Sequence, residues 1–104
     1  MSQNYVQKIQ DADIYDPAIE TPIDDAPLLY QRLNNRVLLK REDLQPVFSF
    51  KLRGTYNKLL NLSEEQLATG VVAAFAGNHA QGLALGAKKM GIAATIVMPR
   101  TTPR

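Results

Sequence analysis

The stretch Val71-Val72-Ala73-Ala74-Phe75-Ala76-Gly77-Asn78-His79-Ala80, running on to Lys88-Lys89-Met90-Gly91 and then Ala93-Ala94-Thr95-Ile96-Val97-Met98-Pro99, decides the fold. Val71 to Phe75 has the apolar composition of a buried strand. Gly77-Asn78 makes a turn. From Asn78 to Met90 the residues Ala80, Leu83, Ala84, Ala87 and Met90 share one helical face. Lys88, Lys89 and Gly91 are the residues of a helix C-terminus. Ala93 to Met98 reads as a second strand, closed by Pro99. Strand, helix and strand in this order predict a βαβ unit with parallel strands and a right-handed crossover.

Working back toward the N-terminus, Gly70 ends a helix whose start is marked by Ser63 and Gln66 at capping-box spacing, with Glu64 and Glu65 in the first turn. A helix over 50–60 is expected before it, with Ser49 as N-cap and Leu52, Tyr56 and Leu59 as its buried stripe. Gly54 inside that helix is either tolerated or marks a close approach by another backbone or a ligand. Arg36 to Lys40 reads as a strand covered on both faces, because Val37, Leu38 and Leu39 follow one another without alternation. The polar run Arg41-Glu42-Asp43 ends it, and Pro46 bars a helix through the loop that follows. Residues 28–33 predict a short helix stopped at Asn34-Asn35. Residues 14–27 hold Pro17, Pro22 and Pro27 and predict an extended connector. Tyr5, Val6, Ile9 and Ala12 predict a short amphipathic helix over 3–13, docked by one face. The fold class is α/β, built of parallel-sheet βαβ layers.

The composition is that of a globular chain: 104 residues, 45% hydrophobic and 21% charged. A net charge of +2, with dispersed basic residues, argues against a nucleic-acid partner. With no cysteine and one histidine there is no disulfide, no thiolate nucleophile and no metal constellation. The N-terminus Met1-Ser2-Gln3-Asn4 is polar. The longest apolar run, Val71 to Ala76, is far below the ~20 residues of a membrane helix, so no membrane partner is expected. A cytoplasmic location is compatible with all of this.

Two helix starts carry the chemistry. Ligands of open parallel sheets bind at the carboxyl ends of strands, where helix N-termini offer free N–H groups and a positive dipole end to an anion. The loop before Lys51 and the turn Ala76-Gly77-Asn78 are both read as lying at such ends, facing one small anionic ligand. Gly77 lets the backbone approach, and Asn78 adds an amide. Lys51 falls in the first helical turn, where the dipole disfavours a cation and so favours the neutral amine that Schiff-base chemistry needs. Pattern alone leaves Lys51, one of six lysines, open between that role and a solvated surface position. It likewise leaves His79 open between a capping position and a catalytic one.

The segment Lys40-Arg41-Glu42-Asp43-Leu44-Gln45-Pro46-Val47-Phe48-Ser49-Phe50-Lys51-Leu52-Arg53-Gly54 closely resembles the lysine segment of the threonine dehydratases (threonine ammonia-lyases). These are pyridoxal-phosphate enzymes of the fold-type II, tryptophan-synthase-β-like class. Ala76-Gly77-Asn78-His79-Ala80-Gln81-Gly82 resembles the asparagine loop of that family, and Glu20-Thr21-Pro22 and Ile96-Val97-Met98-Pro99 also fit. The likeness runs from about Tyr15 to Arg104.

The resemblance implies pyridoxal 5'-phosphate as cofactor. It gives Lys51 the Schiff-base linkage and the transfer of the α-proton. Phe50 is then the aromatic residue packed on the cofactor ring. Asn78 hydrogen-bonds the ring's phenolic oxygen, and Gly77, Asn78 and His79 hold the substrate carboxylate. The implied reaction eliminates water from L-threonine, and hydrolysis of the enamine so formed releases ammonia and 2-oxobutanoate, as in isoleucine biosynthesis, with L-serine as a secondary substrate. A serine dehydratase or racemase of the same fold is the neighbouring alternative, and a non-catalytic binding fragment the other.

Departures are of two kinds, replaced residues and a missing loop. Phe75 replaces a usual serine at the substrate end, removing a hydroxyl and adding bulk. Thr55 replaces a usual alanine. The family's glycine-rich phosphate loop has no counterpart among the six scattered glycines. The chain is therefore expected to be a single, incomplete N-terminal part of a catalytic domain, without a regulatory domain and without turnover of its own. A homo-oligomer is expected of the longer enzyme.

Overall fold

The structure, a computed structural model, describes residues 4–103. Residue 3, the expected start of the first helix, lies outside them, as do Met1, Ser2 and Arg104. The elements in order are α1 (Tyr5–Gln10), β1 (Ile23–Asp25), α2 (Pro27–Leu33), β2 (Leu38–Lys40), a 3-10 turn (Glu42–Leu44), α3 (Lys51–Leu60), α4 (Glu64–Thr69), β3 (Val71–Ala74), α5 (Asn78–Met90) and β4 (Ala94–Val97).

The βαβ unit forms as expected. β3 and β4 pair in parallel, with Val71 opposite Ala94 and Ala74 opposite Val97. The capping box of α4 is complete. Ser63 Oγ accepts from the Gln66 N–H at 3.2 Å, and Gln66 Oε1 accepts from the Ser63 N–H at 2.9 Å. Gly91 ends α5 in the left-handed conformation at φ 67°.

The strand expected over 36–40 is a different object. It begins at Leu38 and pairs antiparallel with β1, Ile23 facing Lys40 and Asp25 facing Leu38. It is not part of the parallel sheet, and Leu38 and Leu39 stay largely exposed instead of covered on both faces. The reason lies in β1, which the connector reading over 14–27 concealed. Pro22, Asp24 and Asp25 look unlike a strand. Their carboxylates are instead matched to arginines across the ribbon: Arg36 Nε donates to Asp25 at 3.0 Å and Arg41 Nη1 to Asp24 at 2.6 Å. Thr21 adds a backbone carbonyl that accepts from Lys40 Nζ.

The expected docking of the first helix is also corrected. None of its residues is buried, and Tyr5, Val6 and Ile9 face outward. Six residues form too short a helix to bury a stripe by propensity alone.

The core lies between α3, α5 and the parallel pair. Leu59, Leu83 and Ala87 form its centre, with Leu62, Val71, Ala73, Met90, Ile92 and Ile96 around them. Leu52 and Tyr56 complete the α3 stripe as expected. α3 meets α5 at two glycines one helical turn apart. A Cβ on Gly82 would stand 2.9 Å from Thr55 Oγ1 and 3.2 Å from the Leu52 N. A Cβ on Gly86 would stand 2.9 Å from Leu59 Cδ1 and 3.2 Å from Tyr56 Cδ2. Gly82 therefore faces the start of α3 and Gly86 its middle. Advancing along α5 advances along α3, so the two helices run in the same direction.

Candidate active site at the paired helix starts

Parallel packing puts the N-termini of α3 and α5 at the same end of the molecule. Lys51 is the first residue of α3, beside the Leu52 that meets Gly82. Asn78, the first residue of α5, lies one turn before Gly82, about 6 Å along the axis at 1.5 Å per residue. The two starts read from sequence are thus brought together. They reach that place by helix packing and not by two strands of one sheet, because β2 belongs to the other ribbon.

The expected N-cap Ser49 acts one position out of register. α3 starts at Lys51 with Phe50 as its formal cap, yet Ser49 Oγ accepts from the Lys51 N–H at 3.2 Å. The Lys51 side chain is exposed, with Nζ 5.1 Å from the centre of the Phe50 ring. Phe50 is 60% exposed. Just before it, Phe48 has φ 56°, a left-handed conformation that a bulky side chain rarely adopts. Its N–H donates to the Gln45 carbonyl at 2.7 Å, closing a tight turn around Pro46.

At the other start, Gly77 takes φ 69° and ψ −140°, a conformation open to glycine. A Cβ there would meet nothing within 4 Å, so the space beside the turn is clear. The first intrahelical bond is Gln81 N–H to the Gly77 carbonyl at 3.1 Å. The N–H groups of Asn78, His79 and Ala80 precede it and are left to an outside acceptor. Asn78 is exposed. His79 is half-buried, and its ring lies 4.0 Å from the Phe75 ring, tilted by 42°. Phe75 thus leans on the second residue of the helix.

The loop leading to Lys51 is held by a polar cluster that the sequence did not announce. Arg53 Nε and Nη2 donate to the two oxygens of Glu42 at 2.8 and 2.9 Å. The Thr21 hydroxyl donates to Glu42 at 2.6 Å, and Gln45 Nε2 donates to it at 3.2 Å. The Arg53 hydrogen bonds, with those from Thr21 and Gln45, hold the Glu42 carboxyl down to about 2 against the opposing effect of burial. The same pairing raises Arg53 above its ordinary value.

Gly54, the glycine read as a possible close approach, has nothing within 4 Å of its would-be Cβ. The close approach is at Gly82 and Gly86, whose spacing of four was the available signal. A cavity of about 370 Å³ lies beside β3, lined by Thr55, Lys58, Val72, His79 and Leu83 among others. Lys51, Phe50 and Asn78 do not line it, so it flanks the paired starts. Among the described residues no group of His, Asp or Glu could hold a metal, and no helix is long and apolar enough to cross a membrane.

Comparison with known proteins finds threonine dehydratases and, at lower identity, a serine racemase of maize, with a TM-score of 0.83 and 34% identity over 92% of this chain and 30% of the other. The chain is 55% identical over 103 residues to a biosynthetic L-threonine dehydratase of Burkholderia multivorans, covering 99% of this chain and 20% of the relative. It is 56% identical over 102 residues to the chloroplastic biosynthetic threonine dehydratase of Arabidopsis thaliana, covering 98% of this chain and 17% of the relative. It superposes on the processed form of threonine deaminase isoform 2 from Solanum lycopersicum with a TM-score of 0.88 and 52% identity, over 95% of this chain and 27% of the other. The chain therefore spans about a fifth of the length of the curated relatives it matches. The fold is the α/β fold of the fold-type II enzymes. Residues 14–104 match the sequence pattern of the pyridoxal-phosphate dependent enzymes, and the chain belongs to that family.

Proposed function

We propose that this chain carries the lysine-bearing part of a pyridoxal-phosphate-dependent L-threonine ammonia-lyase. The observation that carries the reading is the side-by-side packing of α3 and α5 in one direction, which gathers Lys51 and the Gly77–His79 turn at one end. The residues present fit the cofactor. An exposed lysine stands beside an exposed phenylalanine, and at the same end is a helix start with free N–H groups and an unobstructed glycine.

Lys51 would hold the cofactor through Nζ, with Phe50 against the ring. Asn78 would donate to the ring oxygen. When bound, pyridoxal phosphate supplies an electron sink for the pair left behind when a bond at the substrate Cα breaks. The N–H groups of Gly77, Asn78 and His79 hold the substrate carboxylate and orient its Cα–H toward Lys51. Lys51 Nζ, freed once the substrate amine takes its place on the cofactor, would take the α-proton. Loss of the β-hydroxyl and hydrolysis then give 2-oxobutanoate and ammonia from L-threonine, and L-serine would give pyruvate by the same route.

The matched length, a fifth of the relatives, is the basis for reading the chain as a single incomplete part of the catalytic domain. Turnover then needs the remaining length, and any homo-oligomer belongs to the longer enzyme. The cytoplasm is the location proposed for a chain of the bacterial type.

Borohydride trapping of the chain with pyridoxal phosphate, followed by peptide mapping, tests the reading. Most of the adduct is expected on Lys51. An adduct spread evenly over Lys8, Lys40, Lys58, Lys88 and Lys89 as well would contradict it.

A further inference from the structure

Lys51 sits inside a closed loop. Its two ends, Glu42 and Arg53, are eleven residues apart in the chain and joined by two charge-assisted hydrogen bonds. Between them lies Phe48, whose left-handed backbone persists only if its surroundings hold it. Gln45 does much of that holding. It is fully buried, with both ends of its amide engaged. Oε1 accepts from the Ile19 N–H at 2.9 Å, and Nε2 donates to the Ile19 carbonyl at 2.8 Å and to Glu42 at 3.2 Å. Arg53 reaches the same connector, donating to the Tyr15 hydroxyl at 3.1 Å and to the Ile19 carbonyl at 3.4 Å. The polar cluster thus ties three pieces of chain together: residues 15–21, the turn after β2, and the first turn of α3. It is separate from the apolar centre at Leu59, Leu83 and Ala87.

We propose that Glu42, Gln45 and Arg53 are positioning residues that fix the backbone presenting Lys51, a role distinct from holding the fold together. The proposal rests on the reading of Lys51 given above. A reactive amine is useful only where its backbone is held to within a fraction of an ångström, and an exposed lysine on a free loop lacks that support. The Glu42–Arg53 fork supplies direction as well as attraction, since two parallel N–H groups meet two oxygens. A lysine at 53 cannot reproduce the fork. A glutamine at 42 turns one acceptor into a donor facing other donors.

The test compares the unaltered chain with Glu42→Gln and Arg53→Lys, and with Arg36→Lys as a control on the exposed Arg36–Asp25 pair. Hydrogen exchange is read peptide by peptide, and the borohydride-trapped pyridoxal phosphate adduct is counted at each lysine. Exchange over residues 45–52 should rise about tenfold in both clamp variants while α5 stays unchanged. The share of adduct on Lys51 should fall about tenfold relative to Lys58 and Lys88. Arg36→Lys should change neither. Equal rises over 45–52 and over α5 would assign the cluster to overall stability and overturn the proposal. So would unchanged exchange, or faster exchange with the Lys51 share retained. An unaltered chain without preference for Lys51 would remove the functional reading, and the exchange data would still decide whether the clamp holds the segment.

Discussion

Phe48 shows how much a single residue can carry. Its ring is 78% exposed, so the side chain adds little packing. Its φ of 56° costs roughly 1–2 kcal/mol for an ordinary L-residue. Asparagine tolerates that conformation without the extra chain entropy of glycine. Phe48→Asn is therefore expected to stabilise the chain by about 0.5–1 kcal/mol in urea unfolding. Destabilisation would mean that the ring has a contact that its exposure hides. Glu42 makes a second prediction at this scale. Its folded value of about 2 lies below the ordinary 4.5, so the folded state binds the proton less readily than the unfolded one. Its contribution is complete above about pH 4.5 and is lost as pH falls toward 2. With the carboxylate largely covered, the loss should be on the order of 2 kcal/mol. Glu42→Gln should flatten that part of the acid unfolding curve, and an unchanged curve would contradict the clamp's charge pairing. Phe75 stands against His79 at the opening of α5, where the resemblance leads one to expect a small hydroxyl.

The helices make opposite predictions for two glycines. Gly54 lies in an exposed position of α3 with nothing near its would-be Cβ. Gly54→Ala should stabilise by about 0.5–1 kcal/mol through helix propensity. Gly82 is pressed against the backbone of α3, so Gly82→Ala should destabilise by about 1–2 kcal/mol despite the same propensity gain. Chemical denaturation of both variants checks the pair, and a change of the same sign in both would undo the packing argument. This contrast also shows how far the sequence could be read. The βαβ unit, the α4 capping box and the α3 stripe were legible because each is a local pattern: apolar runs, cap spacing, and a 3.6-residue period. The ribbon of β1 and β2 was not legible, because Asp24 and Asp25 become strand residues only by pairing with Arg41 and Arg36 across the fold. The clamp was hidden for the same reason: Glu42, Gln45, Arg53 and Ile19 meet only after folding. At the site, Lys51 and the Gly77–His79 turn were visible as helix starts. Their juxtaposition depends on Gly82 and Gly86, while the sequence drew notice only to Gly54, left open there between a tolerated glycine and a close approach.

Over the whole molecule, the core at α3, α5 and the parallel pair is small for the apolar surface that remains. Tyr5, Val6 and Ile9 on α1, Leu28 and Leu33 on α2, and Val72 in β3 all stay exposed. Exposed apolar side chains in this number are what a larger assembly would cover. Site formation and turnover are therefore separate properties. The first is proposed to need α3, α5 and the clamp; the second is proposed to need the rest of the length its relatives share. The measurement that separates them most directly is the visible absorbance of the chain titrated with pyridoxal phosphate, with and without Lys51→Ala. The account predicts a saturating yellow band in the unaltered chain that is lost in Lys51→Ala, with no 2-oxobutanoate formed on adding L-threonine. An identical band in both proteins, or none in either, would contradict the claim that the paired helix starts make Lys51 the cofactor's lysine.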